Sequence, residues 1–296
     1  MGKRRHTDLE PTTHPKTGET DMEKMEEFHF RANYEYFKLP GGGHLILYED
    51  HRSLLNVLFE ARRLIGLSSP NLIYFDYHDD AVGGWTLPRI LDTLGRRSFD
   101  EVAPREFWSF VEFDLGERDN DWLVAGMEAG LIRDAVLVGA EGLQNYDKMV
   151  RPHIDSSGRV HHYYSIPHLD FSLSAVGPLC IGERNCIHDK IREVFGYSDG
   201  IFDANYPPFV LDFDLGCFAA DFVEKTIAWP ERLFREKYVG ENGQISDFMK
   251  KLAARASVVT ICRESGCCGG IGEANKILSY LDRYFFDGTL KAQPYY

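Results

Sequence analysis

Short apolar runs alternate along the chain with longer amphipathic segments. Strand-like runs lie at 45–48, 71–76, 135–138, 207–212 and 257–262. Helix-like patterns, in which apolar residues recur every three or four positions, occupy 53–65, 122–128, 219–238, 246–256 and 273–286. Gly66 is suited to end the first of these helices. The alternation predicts an α/β fold with a mostly parallel central sheet flanked by helices.

Length and composition favour one folded domain. The chain has 296 residues, of which 44% are hydrophobic, so it can bury a substantial core. The beginning is rich in charge and threonine, includes Pro11 and Pro15, and offers little that could join a core. We therefore predict a flexible tail at 1–30 and a single domain at 31–296.

Acidic and histidine side chains follow three of the predicted strands. They lie in Glu49-Asp50-His51, in Asp76-Tyr77-His78-Asp79-Asp80 and in Asp212-Phe213-Asp214. Because the carboxyl ends of parallel strands meet at one edge of a sheet, these side chains are expected to lie close together. If extended geometry persists, alternate residues of each segment also point the same way.

This grouping of side chains predicts a metal site. Carboxylates gathered in a pocket repel one another unless cations compensate them. Oxygen ligands with one or two imidazoles suit Mn²⁺ and also accept Fe²⁺, Co²⁺ or Zn²⁺. An isolated Asp-x-Asp is a common feature of turns and exposed edges. The combination of three segments is what favours a site for two metal ions.

The order of these motifs resembles that of the arginase/deacetylase superfamily. A histidine follows an early strand, Asp-x-His-x-Asp comes next, and Asp-x-Asp comes much later. More narrowly, the motifs look like those of the peptide arginases, the ornithine-forming enzymes of ribosomal peptide natural product (RiPP) biosynthesis. The resemblance spans roughly His44 to Phe285. It implies an arginase-like three-layer fold, a catalytic domain over 31–296, and two Mn²⁺ ions at the carboxyl edge of the sheet.

The resemblance also assigns the metal ligands. One ion would be held by His51, Asp76, Asp80 and Asp212, and the other by His78, Asp76, Asp212 and Asp214. Asp76 and Asp212 would bridge the two ions. Two departures from the arginase pattern concern the substrate more than the metal. Glu-Asp-His replaces Gly-Gly-Asp-His, and Gly216-Cys217 stands where Asp-Pro is usual.

The implied reaction is hydrolysis of a guanidinium group by a hydroxide that bridges the two ions. Peptidyl arginine in a precursor peptide would become ornithine, with release of urea. Asp80 is the expected proton shuttle, and Glu264 is expected to bind the guanidinium, with Glu273 as the rival residue. Three alternatives stay open: a small guanidine such as agmatine as substrate, amine deacetylation, and a metal-stabilised module that binds basic peptides without catalysis.

Net charge and hydropathy limit the classes of partner that the sequence favours. The net charge of −13 argues against a nucleic-acid enzyme and favours cationic partners, although part of the acidity belongs to the proposed ligands. The chain lacks an apolar run of membrane-spanning length and a signal-peptide core. We therefore expect a cytoplasmic enzyme with no membrane partner. The sequence does not predict the oligomeric state.

Several other residues have ordinary structural interpretations. Asp121 precedes a helix-like stretch and is expected to cap it, with a role beside the substrate as the alternative. His161-His162 are followed by two tyrosines, which indicates strand packing. The six cysteines are expected to be reduced, because Cys180-x5-Cys186-x-His188 matches no standard zinc spacing. Cys267-Cys268 are expected to lie in a glycine-rich loop between a strand and a helix, with a place in the pocket wall or oxidation as the alternatives.

Overall fold

The structure, a computed structural model, describes residues 34–39, 42–116, 120–139, 151–167, 206–222 and 225–292. The predicted tail at 1–30 and the Cys180–Cys186 segment lie outside the described residues. Among the described residues, no helix combines the length and the apolar character needed to cross a membrane.

A mostly parallel sheet forms the centre of the fold. The described strands are β1 (Glu35–Lys38), β2 (His44–Tyr48), β3 (Asn71–Phe75), β4 (Ala135–Gly139), β5 (Arg151–Ile154), β6 (Val160–Pro167), β7 (Phe209–Asp214), β8 (Ala219–Phe222), β9 (Lys225–Ala228) and β10 (Val258–Cys262). Eight of them form one sheet in the order β1-β2-β10-β7-β3-β4-β6-β5. The six inner strands are parallel, and the edge strands β1 and β5 are antiparallel to their neighbours.

Helices connect the strands. The described α-helices are α1 (Leu54–Ile65), α2 (Leu87–Thr93), α3 (Pro104–Phe113), α4 (Trp122–Glu128), α5 (Glu231–Tyr238), α6 (Gln244–Arg255) and α7 (Ile271–Phe285). The five predicted strands are confirmed to within two residues at each end, and so are the predicted helices at α1, α4, α6 and α7. Gly66 ends α1 in the left-handed conformation, with φ 70°, as its position predicted.

Apolar side chains on both faces of the sheet are buried. Alternate strand residues point to opposite faces, so Tyr74 belongs to one core and its neighbour Phe75 to the other. The Tyr74 core includes residues of α1, α3 and α4, whereas the Phe75 core includes residues of α5, α6 and α7. The α/β fold with helices on both faces of a mostly parallel sheet is therefore confirmed.

The predicted helix over 219–238 is wrong in its first half. β8 and β9 pair as a separate antiparallel hairpin, and among the described residues of this range only α5 is helical. Pro230 directly precedes α5 and suits a helix start, because proline lacks the N–H that a helix interior needs. The backbone N–H of Ala228 donates to Glu273 at the start of α7, 2.9 Å away. Contacts from distant parts of the chain thus stabilise a hairpin that local apolar spacing did not predict.

Gly269 allows the hairpin to pack against the loop before α7. Its φ is +89°, and a Cβ there would overlap the backbone carbonyl oxygen of Thr226. We expect Gly269→Ala to lower the free energy of unfolding by roughly 2–4 kcal/mol, because left-handed strain adds to a backbone clash. Chemical denaturation measures this loss. Gly272→Ala is the control, since a Cβ added there would meet no atom within 4 Å, and alanine in place of a helical glycine should raise the free energy of unfolding by roughly 0.5–1 kcal/mol. Equal effects of the two substitutions would contradict the close packing.

Candidate metal centre and adjoining cavity

Four adjacent strands carry the candidate residues to one edge of the sheet. β2, β10, β7 and β3 are neighbours in that order and run parallel. His51 follows β2, Glu264 follows β10, Asp212 and Asp214 end β7, and Asp76 follows β3. The carboxyl edge of a parallel sheet is where ligands commonly bind, so strand order itself assembles the candidate site.

His51 lies at the centre of the acidic residues. A 3-10 turn, His51–Ser53, leads from β2 into α1 and buries the imidazole. Its Nδ1 lies 2.9 Å from Asp76 Oδ2, 3.1 Å from Asp80 Oδ2 and 3.8 Å from Asp214 Oδ2. Its Nε2 lies 2.8 Å from Asp212 Oδ2. The structure thus brings together five of the six predicted metal ligands.

Asp212 is held by three side chains. Its Oδ1 accepts hydrogen bonds from the Tyr48 hydroxyl, at 2.8 Å, and from the Thr260 hydroxyl, at 2.5 Å, while Oδ2 faces His51. Thr260 pairs with Asp212 across the sheet, which aligns the two side chains on one face. Sequence reasoning missed both Tyr48 and Thr260. A polar residue in the middle of the apolar β10 was the available signal for Thr260.

Asp80 lies in the centre although its backbone is not extended, in contrast to the prediction from the alternation of side chains along a strand. Extended geometry ends with β3 at Phe75, and Asp80 has a left-handed φ of 45°. Its buried carboxylate accepts a hydrogen bond from Trp122 Nε1, with 2.6 Å between Nε1 and Oδ2. Trp122 begins α4, and no local pattern predicts its contact with a residue 42 positions away.

His78 is the predicted ligand that lies apart from the others. Its side chain is 60% exposed, and its Nδ1 lies 3.9 Å from Asp76 Oδ1. The backbone N–H of His78 donates to that same Asp76 oxygen at 2.9 Å. The imidazole would have to turn inward to serve as a metal ligand, and in this structure it lines the neighbouring cavity.

Burial and mutual repulsion disfavour the ionised forms of the aspartates in the centre. Burial and then the charge of Asp80 raise the pKa of Asp76 well above its usual range, although His51 opposes this. Burial and then the charge of Asp76 raise the pKa of Asp214 in the same way. Burial alone would lower the pKa of His51, but the carboxylates of Asp212 and Asp76 outweigh it and raise that pKa. The residues therefore form a centre that a cation would stabilise.

Two buried oxygens show that the centre fits a metal ion. Within the described residues, Asp76 Oδ2 and Asp214 Oδ2 accept no hydrogen bond, although His51 Nδ1 approaches the former without suitable geometry. One ligand atom each from His51, Asp76 and Asp214 lies within 4.8 Å of the others. Unpaired carboxylate oxygens beside an imidazole are a ligand set that Mn²⁺ and related divalent ions accept.

A cavity of about 460 Å³ adjoins the centre. Its walls include Asp214, His78 and Glu264. The backbone N–H of Glu264 donates to the Glu49 carbonyl at 3.0 Å, which fixes the end of β10 beside that of β2. Glu273 is engaged elsewhere, because it accepts hydrogen bonds from the Ala228 N–H and from Lys276. The geometry thus favours Glu264 over Glu273 as a residue that contacts a ligand in the cavity.

Cys267 also lines the cavity and is exposed, whereas its neighbour Cys268 is buried. Burial and then the charge of Glu264 raise the pKa of the Cys267 thiol to about 12, so this thiol stays protonated at neutral pH. Among the described residues, Cys217, Cys262, Cys267 and Cys268 form no disulfide bond, which agrees with the prediction for these four positions.

Two further predictions concern residues away from the centre. His161 and His162 lie on β6, as predicted, and pair with β5 near the amino edge of the parallel sheet, opposite the acidic residues. Asp121 directly precedes α4, but its side chain does not cap that helix. Its carboxylate instead accepts hydrogen bonds from Trp85 Nε1, at 2.7 Å, and from the Gly116 N–H. The predicted capping role is therefore wrong.

Comparisons with known proteins give a weak likeness of fold. No protein-family model and no curated protein matches the chain. Among solved structures, it is similar to proclavaminate amidino hydrolase from Streptomyces clavuligerus, with 11% identity, 84% of this chain and 64% of that chain covered, and a TM-score of 0.44. The chain thus spans less than two thirds of that protein. It is also similar to Helicobacter pylori arginase, with 14% identity, coverages of 90% and 79%, and a TM-score of 0.38. Likeness at this level identifies neither a substrate nor a reaction.

Proposed function

We propose that the chain is a hydrolase that holds two Mn²⁺ ions and converts peptidyl arginine to ornithine, with release of urea, in a ribosomal precursor peptide. The observation that carries this proposal is the centre of four buried aspartates around His51, opening onto a cavity that Glu264 lines. The motif order of the arginase-type enzymes supports the same function.

The ligand set supports the metal part of the proposal. His51, Asp76, Asp80 and Asp212 would hold one ion, and His78, Asp76, Asp212 and Asp214 the other. Two such ions supply Lewis-acid activation of water near neutral pH. The hydrogen bonds from Tyr48 and Thr260 fix Asp212 so that it can present Oδ2 to the centre.

The remaining residues have roles in binding and proton transfer. Glu264 would accept paired hydrogen bonds from the guanidinium, as a carboxylate does from an arginine side chain. Asp80 would move the proton from the attacking water to the departing amine. Its contacts with Trp122 Nε1 and His51 Nδ1 both use Oδ2, so we assign the proton transfer to Oδ1.

Charge supports a cationic substrate. The described residues that line the cavity include three carboxylates, Asp214, Asp221 and Glu264, and neither lysine nor arginine. The whole chain has a net charge of −13, which would attract a basic peptide over long range. A peptidyl arginine supplies both the guanidinium and a basic chain.

Product analysis tests this function against its alternatives. The Mn²⁺-loaded protein is incubated with an arginine-containing peptide, with agmatine and with an acetylated amine. We expect urea from the peptide and ornithine in the peptide by mass spectrometry. Urea from agmatine alone would indicate a small-molecule ureohydrolase, and acetate would indicate a deacetylase. Tight binding of the peptide without any product would indicate a binding module.

Replacement of Glu264 tests the guanidinium contact. We expect Glu264→Gln to raise KM by about 10- to 100-fold, because a charge-assisted paired hydrogen bond contributes about 1.5–3 kcal/mol. Steady-state urea release measures KM, and elemental analysis should show unchanged metal content. Glu273→Gln is the control, since that carboxylate contacts Ala228 and Lys276 instead. A similar rise in KM for both variants would refute the assignment to Glu264.

A further inference from the structure

The hairpin of β8 and β9 places a third carboxylate in the cavity wall. Asp221 on β8 is exposed and lines the same cavity as Asp214 and Glu264. It pairs in register with Thr226 on β9, whose hydroxyl donates to Asp221 Oδ1 at 2.7 Å. One carboxylate oxygen is thus held within the hairpin, and Asp221 Oδ2 can accept a hydrogen bond from a ligand.

One hydrogen bond joins the hairpin to the start of α7 and two others close its base, which fixes where Asp221 lies. The N–H of Ala228 donates to Glu273 at 2.9 Å, and the N–H of Trp229 donates to the Phe218 carbonyl at 2.8 Å. The indole N–H of Trp229 donates to the Ala219 carbonyl at 3.1 Å. A carboxylate on such a supported element can discriminate between ligands by its charge.

Binding of the guanidinium does not require Asp221, because Glu264 is sufficient to bind one planar cation and Asp214 belongs to the metal centre. We propose that Asp221 contacts the part of the substrate beyond the guanidinium. It accepts a hydrogen bond from a backbone amide of the substrate and repels a free carboxylate at the same place. This inference rests on the proposed function. It defines the substrate class as guanidines whose arginine carboxyl group is in an amide bond.

Physical chemistry gives the sign and the size of the effect. An amide N–H near Asp221 gains a charged acceptor, whereas a carboxylate in the same place meets a like charge. Because Asp221 is exposed, water screens both effects. We therefore expect Asp221 to account for about a threefold to fivefold preference.

Two matched peptides test this inference. Acetyl-glycyl-arginine is prepared with a C-terminal amide or a C-terminal carboxylate, and kcat/KM for urea release is measured with the Mn²⁺-loaded full chain. The wild-type protein should prefer the amide, and Asp221→Asn should reduce that preference about threefold to fivefold. Asp247→Asn removes an exposed charge on α6 that does not line the cavity, so it should leave the preference unchanged.

Thr226 supplies an independent readout. Thr226→Val removes the hydroxyl that holds Asp221, so it should reduce the preference for the amide, as Asp221→Asn does. Thr226→Ser keeps the hydroxyl and should retain the wild-type preference. An unchanged preference in Asp221→Asn, with urea still released, would overturn the inference and leave the proposed function standing. Release of urea from neither peptide by the wild-type protein would overturn both.

Discussion

Asp212→Asn is expected to remove bound manganese and to lower urea release by more than about 100-fold. A neutral amide is a poor bridging ligand, and even residues that merely support metal ligands cost about 10- to 100-fold when replaced. The side-chain oxygen of asparagine can still accept hydrogen bonds from Tyr48 and Thr260, so the fold should persist. Elemental analysis of the purified variant measures the metal, and a urea assay measures turnover.

Asp134→Asn is the matched control for that experiment. Asp134 is also a buried aspartate, but it precedes β4 and accepts a hydrogen bond from the backbone N–H of His162, near the opposite edge of the sheet. This variant should keep its manganese and its activity. Full manganese occupancy in Asp212→Asn, or an equal loss of metal in both variants, would refute the ligand assignment.

Manganese is expected to raise the melting temperature of the wild-type protein by about 5–10 °C at a concentration about 100-fold above Kd. Binding at that concentration contributes about 2.7 kcal/mol, and each kcal/mol corresponds to about 2–4 °C in a domain of this size class. Differential scanning fluorimetry in MnCl₂ and in EDTA measures the shift. A shift of the same size with Mg²⁺ alone would argue against a site selective for manganese.

Asp214→Asn should change the melting temperature in opposite directions in EDTA and in MnCl₂. In EDTA it should raise the melting temperature by about 2–4 °C, because burial and then the charge of Asp76 disfavour the ionised Asp214 carboxylate, and a neutral amide avoids both costs. In MnCl₂ it should melt below the wild-type protein, because a ligand is lost. The hydrogen bond from the Gly216 N–H to Asp214 Oδ1 can be kept by the asparagine oxygen, so the comparison isolates the charge. A lower melting temperature in both conditions would contradict this account.

The same charge gives the metal-free protein a distinct pH dependence. The pKa of Asp214 is raised in the folded state, so the folded protein binds a proton that the unfolded chain has released. Stability without metal should therefore fall as the pH rises from about 3.9, the ordinary aspartate pKa, towards the raised value. The slope should be shallower in Asp214→Asn, and unfolding in EDTA at several pH values measures it.

Local pattern predicted the strands well because each is a continuous apolar run buried on both faces, as β3 and β7 are. It failed at β8 and β9, where apolar residues spaced as in a helix pair as a hairpin. The hydrogen bond from Ala228 to Glu273 and the backbone approach at Gly269 stabilise that hairpin, and both join segments more than 40 positions apart. No window along the chain contains those contacts.

The sequence by itself determined the positions of the acidic and histidine residues at strand ends, because side-chain periodicity and chain direction are local properties. Only the tertiary structure decided which of them meet. His51 and Asp212 are 161 positions apart, and the sheet order β2-β10-β7-β3 brings them within hydrogen-bonding distance. The same packing turns His78 towards solvent and places Glu264, rather than Glu273, in the cavity wall. Packing between distant segments decides which of these side chains meet, because local geometry alone permits several pairings.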